Sequence, residues 1–195
     1  HYFWRTGRQA MPYLLERDDL PIGWYDCQQA QLFPGAGDNA LYLFGAGQAL
    51  APFVPVGWSQ QAEVLATFGD SQLLSLALEA PMQTWLSGLH RPETLSLDFA
   101  GVMRLLGYRL NEGEPLPGGS LELLTAWQVL ETPPKDLAIF LHILDEDGML
   151  VAQGDALAAL TDTLRPQDVL VQHHIIGLAQ DLEPGEYLIA AGLYV

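Results

Sequence analysis

The C-terminal stretch from Gly107 to Val195 constrains the fold most strongly, because short apolar segments alternate there with turn residues. Within Ser120–Leu130 the large apolar side chains fall mostly on every second position, at Leu121, Leu123, Trp127 and Val129. A period of two is typical of a strand that has one face in a core. Leu137–Leu144 is apolar at nearly every position, which is typical of a central strand.

Turn residues separate these segments from further strands. Asp147-Gly148 lies between Leu137–Leu144 and the run Met149–Gln153, and Asp-Gly in such a place predicts a hairpin. Two more strands are predicted, at Val169–Leu178 and Tyr187–Val195. Several strands, tight turns and no long helix predict a mainly β fold, whose C-terminal part is an antiparallel β-sandwich of the jelly-roll or immunoglobulin-like type.

The N-terminal part mixes helix and strand patterns, so a smaller α+β segment is predicted to precede the sandwich. Thr6–Arg17 is the best helix candidate, with Pro12 at the point where the helix starts or breaks. Short strands are predicted at Ile22–Cys27, Ala30–Phe33, Leu41–Phe44, Glu63–Phe68, Leu73–Leu78 and Met82–His90. A boundary near Arg91–Glu93 divides the chain into a mixed segment, 1–94, and a β-sandwich domain, 95–195.

Composition and charge exclude several classes of function. The 195 residues carry a formal net charge of -16, and so acidic a surface repels the phosphates of nucleic acids and of anionic lipids. No apolar run reaches the roughly 18 residues of a membrane span, so this chain is not expected to insert into a membrane. The single cysteine, Cys27, excludes an intrachain disulfide. Because the sequence starts at His1 without Met, we expect it to be part of a longer protein.

The histidines are candidates for chemistry, but structural roles explain them better. His173 and His174 are adjacent, and adjacent strand residues point to opposite faces, so they are not expected to bind one metal ion. His142 shares a strand face with Phe140 and Leu144, which predicts a core histidine rather than a general base. No nucleophile elbow or dinucleotide-binding glycine motif accompanies them, so no catalytic residue and no cofactor are predicted.

A group of acidic residues lies near the end of the predicted hairpin. Carboxylate oxygens suit calcium, so Asp145, Asp147 and Asp155 are candidate ligands for a structural calcium ion. The alternative, which the Asp-Gly pair favours, is that Asp147 and Gly148 form the turn and that the other carboxylates are solvated.

Exposed aromatic rings can stack on the faces of sugars, so the aromatic residues are candidates for glycan binding. Trp58 lies in a Gly-Ser loop, and Trp24 and Tyr25 are neighbours in a short predicted strand. These three are the candidate glycan-binding residues, with packing in a core or an interface as the alternative. Trp127 lies on the apolar side of its strand and is predicted to be buried between two sheets.

Two stretches carry a resemblance to a known family. The first is Tyr13–Pro34 (YLLERDDLPIGWYDCQQAQLFP). The second is a series of phrases at Leu105–Leu110 (LLGYRL), Pro117–Gly119, Ala126-Trp127, Ile139–Leu144 (IFLHIL), Asp147-Gly148, Ala152–Asp155 and Leu182–Tyr194 (LEPGEYLIAAGLY). Together they resemble the soluble C-terminal region of multi-spanning bacterial glycosyltransferases of the protein O-mannosyltransferase and aminoarabinose transferase-like family (family 39 type).

The resemblance implies a parent glycosyltransferase that uses a lipid-linked sugar donor, with its catalytic acidic residues in loops between membrane helices. It implies that this chain is a non-catalytic domain on the extracytoplasmic face of a bacterial membrane, tethered through upstream transmembrane helices. The expected partners are the membrane-embedded catalytic domain of the same chain and a glycan or polypeptide acceptor. The rival hypothesis is a structural or protein-interaction sandwich with no sugar affinity. An open groove lined by aromatic rings and carboxylates would favour glycan binding.

The chain departs from the family pattern at two points. Such tails often carry a Trp-x-Pro-Gly phrase before the penultimate strand, where this chain has Leu164–Gln167 and lacks both Trp and Gly. Cys27 follows Asp26 where a glycine is common in the family. A site formed by these positions in relatives is therefore not expected to carry over to this chain.

Overall fold

The computed structural model describes residues 22–35, 39–45, 49–77, 79–91, 97–111, 113 and 115–195, and this part of the chain is mainly β, as predicted. The elements in chain order are β1 (Ala30–Phe33), β2 (Asn39–Phe44), α1 (Val56–Gln61), β3 (Glu63–Phe68), β4 (Ser71–Ala77), α2 (Glu79–Ser87), β5 (Asp98–Phe99), β6 (Met103–Leu110), β7 (Ser120–Val129), β8 (Ala138–Leu144), β9 (Leu150–Gln153), a 3-10 turn (Thr161–Thr163), β10 (Val169–Gly177) and β11 (Leu188–Tyr194). The predicted helix Thr6–Arg17 lies outside the described residues.

The largest sheet is antiparallel and has five strands in the order β1-β10-β7-β6-β5. Its middle strand, β7, is buried on both faces. Trp127 packs into the core on one side, whereas Leu124 and Ala126 pack into the core on the other side. This alternation follows from the period of two in a strand, and it makes the five-stranded sheet the middle layer of the molecule.

One face of the middle layer is covered by an antiparallel three-stranded sheet in the order β11-β8-β9. Between the two sheets lies an apolar core that includes Trp127, Leu170 and Ile139. The antiparallel sandwich is therefore confirmed, and so is the prediction that Leu137–Leu144 supplies an interior strand. The Asp147-Gly148 hairpin is also confirmed, since Gly148 has a φ of 77° and its amide donates to the Asp145 carbonyl (3.0 Å).

The other face of the middle layer is covered by the sheet β2-β4-β3 together with α1 and α2. Phe33 of β1 lies at the centre of this second core, where its ring meets those of Trp58 on α1 (5.4 Å) and Trp85 on α2 (6.3 Å). Tyr42 of β2 donates a hydrogen bond from its hydroxyl to the Leu32 carbonyl (2.9 Å), which ties the outer sheet to the middle one.

The five-stranded sheet includes strands from both sides of the predicted division at residue 94. β1 pairs with β10 from Ala30↔Gln172 to Phe33↔Val169, and all four of its residues are buried. The division into 1–94 and 95–195 stays a prediction, but β1 is an integral strand of the sandwich.

Two local predictions in the N-terminal part are wrong. Met82–His90 was predicted to be a strand, but α2 occupies most of it. Met82, Trp85, Leu86 and Leu89 recur at spacings of three and four residues, which is the period of a helix, and this face enters the second core. Ile22–Cys27 forms only an isolated bridge from Tyr25 to Ala159 in place of the predicted strand.

Candidate functional site

A cleft of about 320 Å³ lies beside the loop 49–55, at one end of the five-stranded sheet. It is lined by Pro52, Phe53, Arg109, Asn111, Glu122, Leu123, Leu124 and His173. The lining combines an aromatic ring with a carboxylate, an amide, an imidazole and a guanidinium group. We call this feature the cleft.

Strand register explains why the polar side chains share one face of the sheet. Leu124 of β7 pairs with Arg109 of β6 on one side and with His173 of β10 on the other. Glu122 is two residues along β7 and therefore points to the same face. Leu124 is buried in the second core, so these charged groups lie at the edge of the layer formed by the sheet β2-β4-β3 with α1 and α2.

The loop 49–55 forms the wall of the cleft, and buried contacts fix its position. The Ala51 amide donates to Gln31 Oε1 (3.2 Å), and Gln31 Nε2 donates to the Tyr25 hydroxyl (2.9 Å). Ala51 and Val54 are buried on either side of the two lining residues. Phe53 is thereby held over the sheet, with its ring 5.7 Å from the His173 ring.

Glu122 is the hydrogen-bond centre of the cleft. Its Oε2 accepts a hydrogen bond from Asn111 Nδ2 (3.2 Å) and lies 3.3 Å from His173 Nε2. Arg109 takes no part in this network, and it has no hydrogen-bond or ion-pair partner in the part of the chain that the structure describes. The cleft therefore offers a ligand a fixed acceptor, a fixed imidazole and a guanidinium group that is unpaired among the described residues.

His174 occupies the opposite face of β10, so the prediction that His173 and His174 point apart is confirmed. His174 Nε2 lies 2.9 Å from Thr125 Oγ1, which accepts a hydrogen bond from Trp127 Nε1 (2.8 Å). Burial, with a smaller contribution from the charge of His173, lowers the pKa of His174 from 6.5 to about 4. This second histidine is therefore a neutral core residue at neutral pH.

The aromatic residues that were predicted to bind a glycan do not form an exposed surface. Trp58 is only 6% exposed, because α1 turns its ring into the second core against Phe33 and Trp85, so its prediction as an exposed ring is wrong. Trp24 is half-buried, and its amide donates to Thr163 Oγ1 (3.1 Å). Tyr25 is half-buried and packs against the cores on both sides of the sheet, and burial raises the pKa of its hydroxyl.

The candidate calcium ligands do not converge. Asp145 Oδ1 accepts hydrogen bonds from the amides of Asp147 (3.0 Å) and Met149 (2.8 Å), so this carboxylate stabilises the hairpin turn. Asp155 lies instead beside His142 of β8. Within the described ranges, no group of three or more histidine, cysteine or acidic side chains is arranged to hold a metal ion.

His142 is half-exposed on the outer face of the sandwich, so the prediction of a core histidine is wrong. Its strand is covered on one side only, and Ile139, Leu141 and Ile143 form the buried face instead. The outer cluster consists of Phe140, His142, Asp155 and Tyr194. His142 Nε2 lies 3.5 Å from Asp155 Oδ1, and the Tyr194 hydroxyl donates to Asp155 Oδ2 (3.4 Å).

Comparisons of this chain with protein-family models, with curated proteins and with solved structures gave no match. The cleft is therefore interpreted from its own chemistry. Sequence reasoning did not select Phe53, Arg109, Asn111 or Glu122, and it considered His173 only as a metal ligand. The sequence feature that pointed to the cleft is Glu122, a polar residue on the strand face opposite to Leu121 and Leu123.

None of the described helices is both long enough and apolar enough to cross a membrane.

Proposed function

We propose that this chain is a non-catalytic domain that binds a glycan in the cleft. The observation that carries the proposal is the convergence of Phe53 with Glu122, His173, Asn111 and Arg109 in one concave site. Concave sites of about 300–1,000 Å³ with a few fixed polar groups are typical of small-ligand binding. The cleft is at the lower end of this range, which suits one or two sugar units.

The chemistry of the lining matches that of a sugar. A sugar ring has an apolar face of C–H groups, which can pack on the Phe53 ring, and an edge of hydroxyl groups that both donate and accept hydrogen bonds. Glu122 is acceptor-only when ionised, whereas Arg109 and Asn111 Nδ2 are donors. Because strand register and the pinned loop hold these groups in place, ligand binding needs little ordering of the protein.

We further propose that the domain belongs to an extracytoplasmic part of a bacterial membrane glycosyltransferase that uses a lipid-linked sugar donor. The motifs from Tyr13 to Tyr194 support this assignment through their resemblance to such tails. In that setting the cleft would hold a glycan acceptor near the membrane-embedded catalytic domain of the same chain. The cleft is then an acceptor-holding site rather than a site of bond making.

A second candidate function, a protein-interaction domain without sugar affinity, is favoured by one observation. The outward face of the sheet β2-β4-β3 exposes large apolar side chains, with Leu41 and Phe68 each 63% exposed and Leu43 45% exposed. Contiguous exposed apolar surface is a common mark of protein contacts. If wild-type protein bound no glycan, this function would replace the first.

Glycan binding is tested with wild-type protein on an array of neutral, amino and acidic glycans, followed by calorimetry on the ligands found. We expect Phe53→Ala to weaken binding at least about tenfold, a loss of about 1.4 kcal/mol, because the stacking surface is removed. Tyr194→Ala is the matched control, since it removes an exposed ring from the outer cluster. Thermal melts of both variants show whether each is folded. Equal affinity of a folded Phe53→Ala variant and wild type would contradict this placement of the site.

Purified chain is also expected to transfer no sugar. The chemistry proposed for the parent requires paired acidic residues and a lipid-linked donor, and among the described residues that line the cleft Glu122 is the one carboxylate, which His173 and Asn111 already engage. The assay offers a polyprenyl-phosphate sugar together with a glycan that the cleft binds. Turnover above the rate of a heat-denatured sample would contradict the non-catalytic assignment.

A further inference from the structure

Within the described ranges, the guanidinium group of Arg109 has no hydrogen-bond or ion-pair partner, although the protein is strongly acidic. The sequence has 8 Lys and Arg residues against 24 Asp and Glu residues, so a guanidinium group would be expected to find a carboxylate. Arg104, on the same strand, does so: its guanidinium lies 3.4 Å from Asp98 Oδ2. Arg109 lines the cleft and has no such partner among the described residues.

The carboxylate that shares the cleft with Arg109 already has hydrogen-bond partners. Glu122 lies diagonally across from Arg109, because Arg109 pairs with Leu124 and Glu122 comes two residues before Leu124 on β7. Long side chains can bridge such a diagonal. However, Glu122 Oε2 is engaged by His173 and Asn111 instead. Among the described residues, the donors of the Arg109 guanidinium are therefore left for a ligand, whereas Glu122 Oε2 already has two hydrogen-bond partners.

We infer that the cleft recognises an acidic glycan, one whose sugar units carry carboxylates, and that Arg109 pairs with a carboxylate of the ligand. This inference rests on the proposed function and names its ligand class. A guanidinium group presents parallel N–H donors that match the two oxygens of a carboxylate, and such charge-assisted pairs are stronger than neutral hydrogen bonds. The Phe53 ring would pack on the sugar face while Arg109 fixes the acidic edge.

The net charge of the chain opposes this ligand at long range but not in contact. At an ionic strength of about 0.15 M, charges more than about 8 Å apart are largely screened. A carboxylate in contact with Arg109 therefore interacts mainly with the groups that line the cleft. The structure predicts short-range selectivity for an acidic sugar rather than long-range attraction.

The test uses uronic acid oligosaccharides and their methyl esters, measured by calorimetry at about 0.15 M salt with folded protein. Esterification removes the charge and keeps the sugar rings. Comparing each acid with its ester therefore measures the contribution of the carboxylate charge to affinity. We expect wild type to bind at least one acid about tenfold more tightly than its ester, because a charge-assisted pair is lost. Arg109→Gln should reduce this ratio to about one. Arg104→Gln, which removes the same charge from the same strand, should leave the ratio unchanged.

The outcomes separate the inference from the proposed function. If the esters or neutral oligosaccharides bind as tightly as the acids, or if Arg109→Gln keeps the tenfold ratio, the acidic-glycan inference is overturned and the glycan-binding cleft stands. If no acidic, esterified or neutral oligosaccharide binds, the proposed function is overturned as well.

Discussion

Replacing Trp127 with alanine is expected to lower the free energy of unfolding by about 3–5 kcal/mol. Trp127 is fully buried between the five-stranded sheet and β11-β8-β9, as the sequence predicted. Its ring packs 5.2 Å from the Phe99 ring, and its Nε1 donates to Thr125 Oγ1. The substitution truncates the largest fully buried side chain among the described residues and leaves a cavity. The loss is a large share of the roughly 5–15 kcal/mol that stabilises a typical domain.

Urea denaturation of wild type and Trp127→Ala measures this effect. Phe68→Ala is the matched control, because it also truncates an aromatic residue but at a 63% exposed position, and it should change stability by less than about 0.5 kcal/mol. Trp127→Phe, which keeps most of the packing, should fall between the two. An unchanged denaturation midpoint for Trp127→Ala would mean that the faces of β7 are assigned the wrong way round.

The protein is also expected to lose about 3 kcal/mol of stability from His174 alone as the pH falls from 6.5 to about 4. His174 is 5% exposed, and burial lowers its pKa to about 4 in the folded state, whereas the unfolded chain binds the proton near 6.5. Between these values the unfolded state binds more protons, so acid favours unfolding. The contribution is fully present above pH 6.5 and is lost as the pH falls to about 4.

The measurement compares wild type with His174→Gln across pH 7.5 to about 4 in urea, and we expect the difference in stability to shrink by about 3 kcal/mol over that range. The comparison with the variant is needed because other groups also titrate in this pH range. Burial raises the pKa of Asp168, so that carboxyl contributes with the opposite sign and favours the folded state as the pH falls. A pH-independent difference between the two proteins would show that His174 is not a neutral buried residue.

The strands of the sandwich were predictable because their signals are local. Ser120–Val129 alternates with a period of two, Ala138–Leu144 is apolar throughout apart from His142, and Asp147-Gly148 fixes the hairpin between β8 and β9. α2 was predicted to be a strand because a short apolar run fits the period of a strand as well as that of a helix. The spacing of Met82, Trp85 and Leu89 indicates a helix only once their shared burial is known.

The cleft could not be predicted, because its parts are distant in sequence. Phe53 comes from a loop, while Arg109, Glu122 and His173 come from three strands whose order in the sheet is set by the pairing of β7 with both β6 and β10. The burial of Trp58 also depends on residues that are distant in sequence. Its Gly-Ser surroundings indicated an exposed loop, yet packing against Phe33 and Trp85 places it in the core.

The most direct test of the glycan-binding cleft follows the imidazole signals of the histidines by NMR during titration with a glycan that the protein binds. His173 lines the cleft, whereas His174 is its neighbour in sequence but lies on the opposite face of β10. His142 reports on the outer cluster. We expect the His173 signals to shift with saturation while those of His174 and His142 stay in place. Saturated binding that shifts His142 and leaves His173 unchanged would contradict the assignment of the cleft.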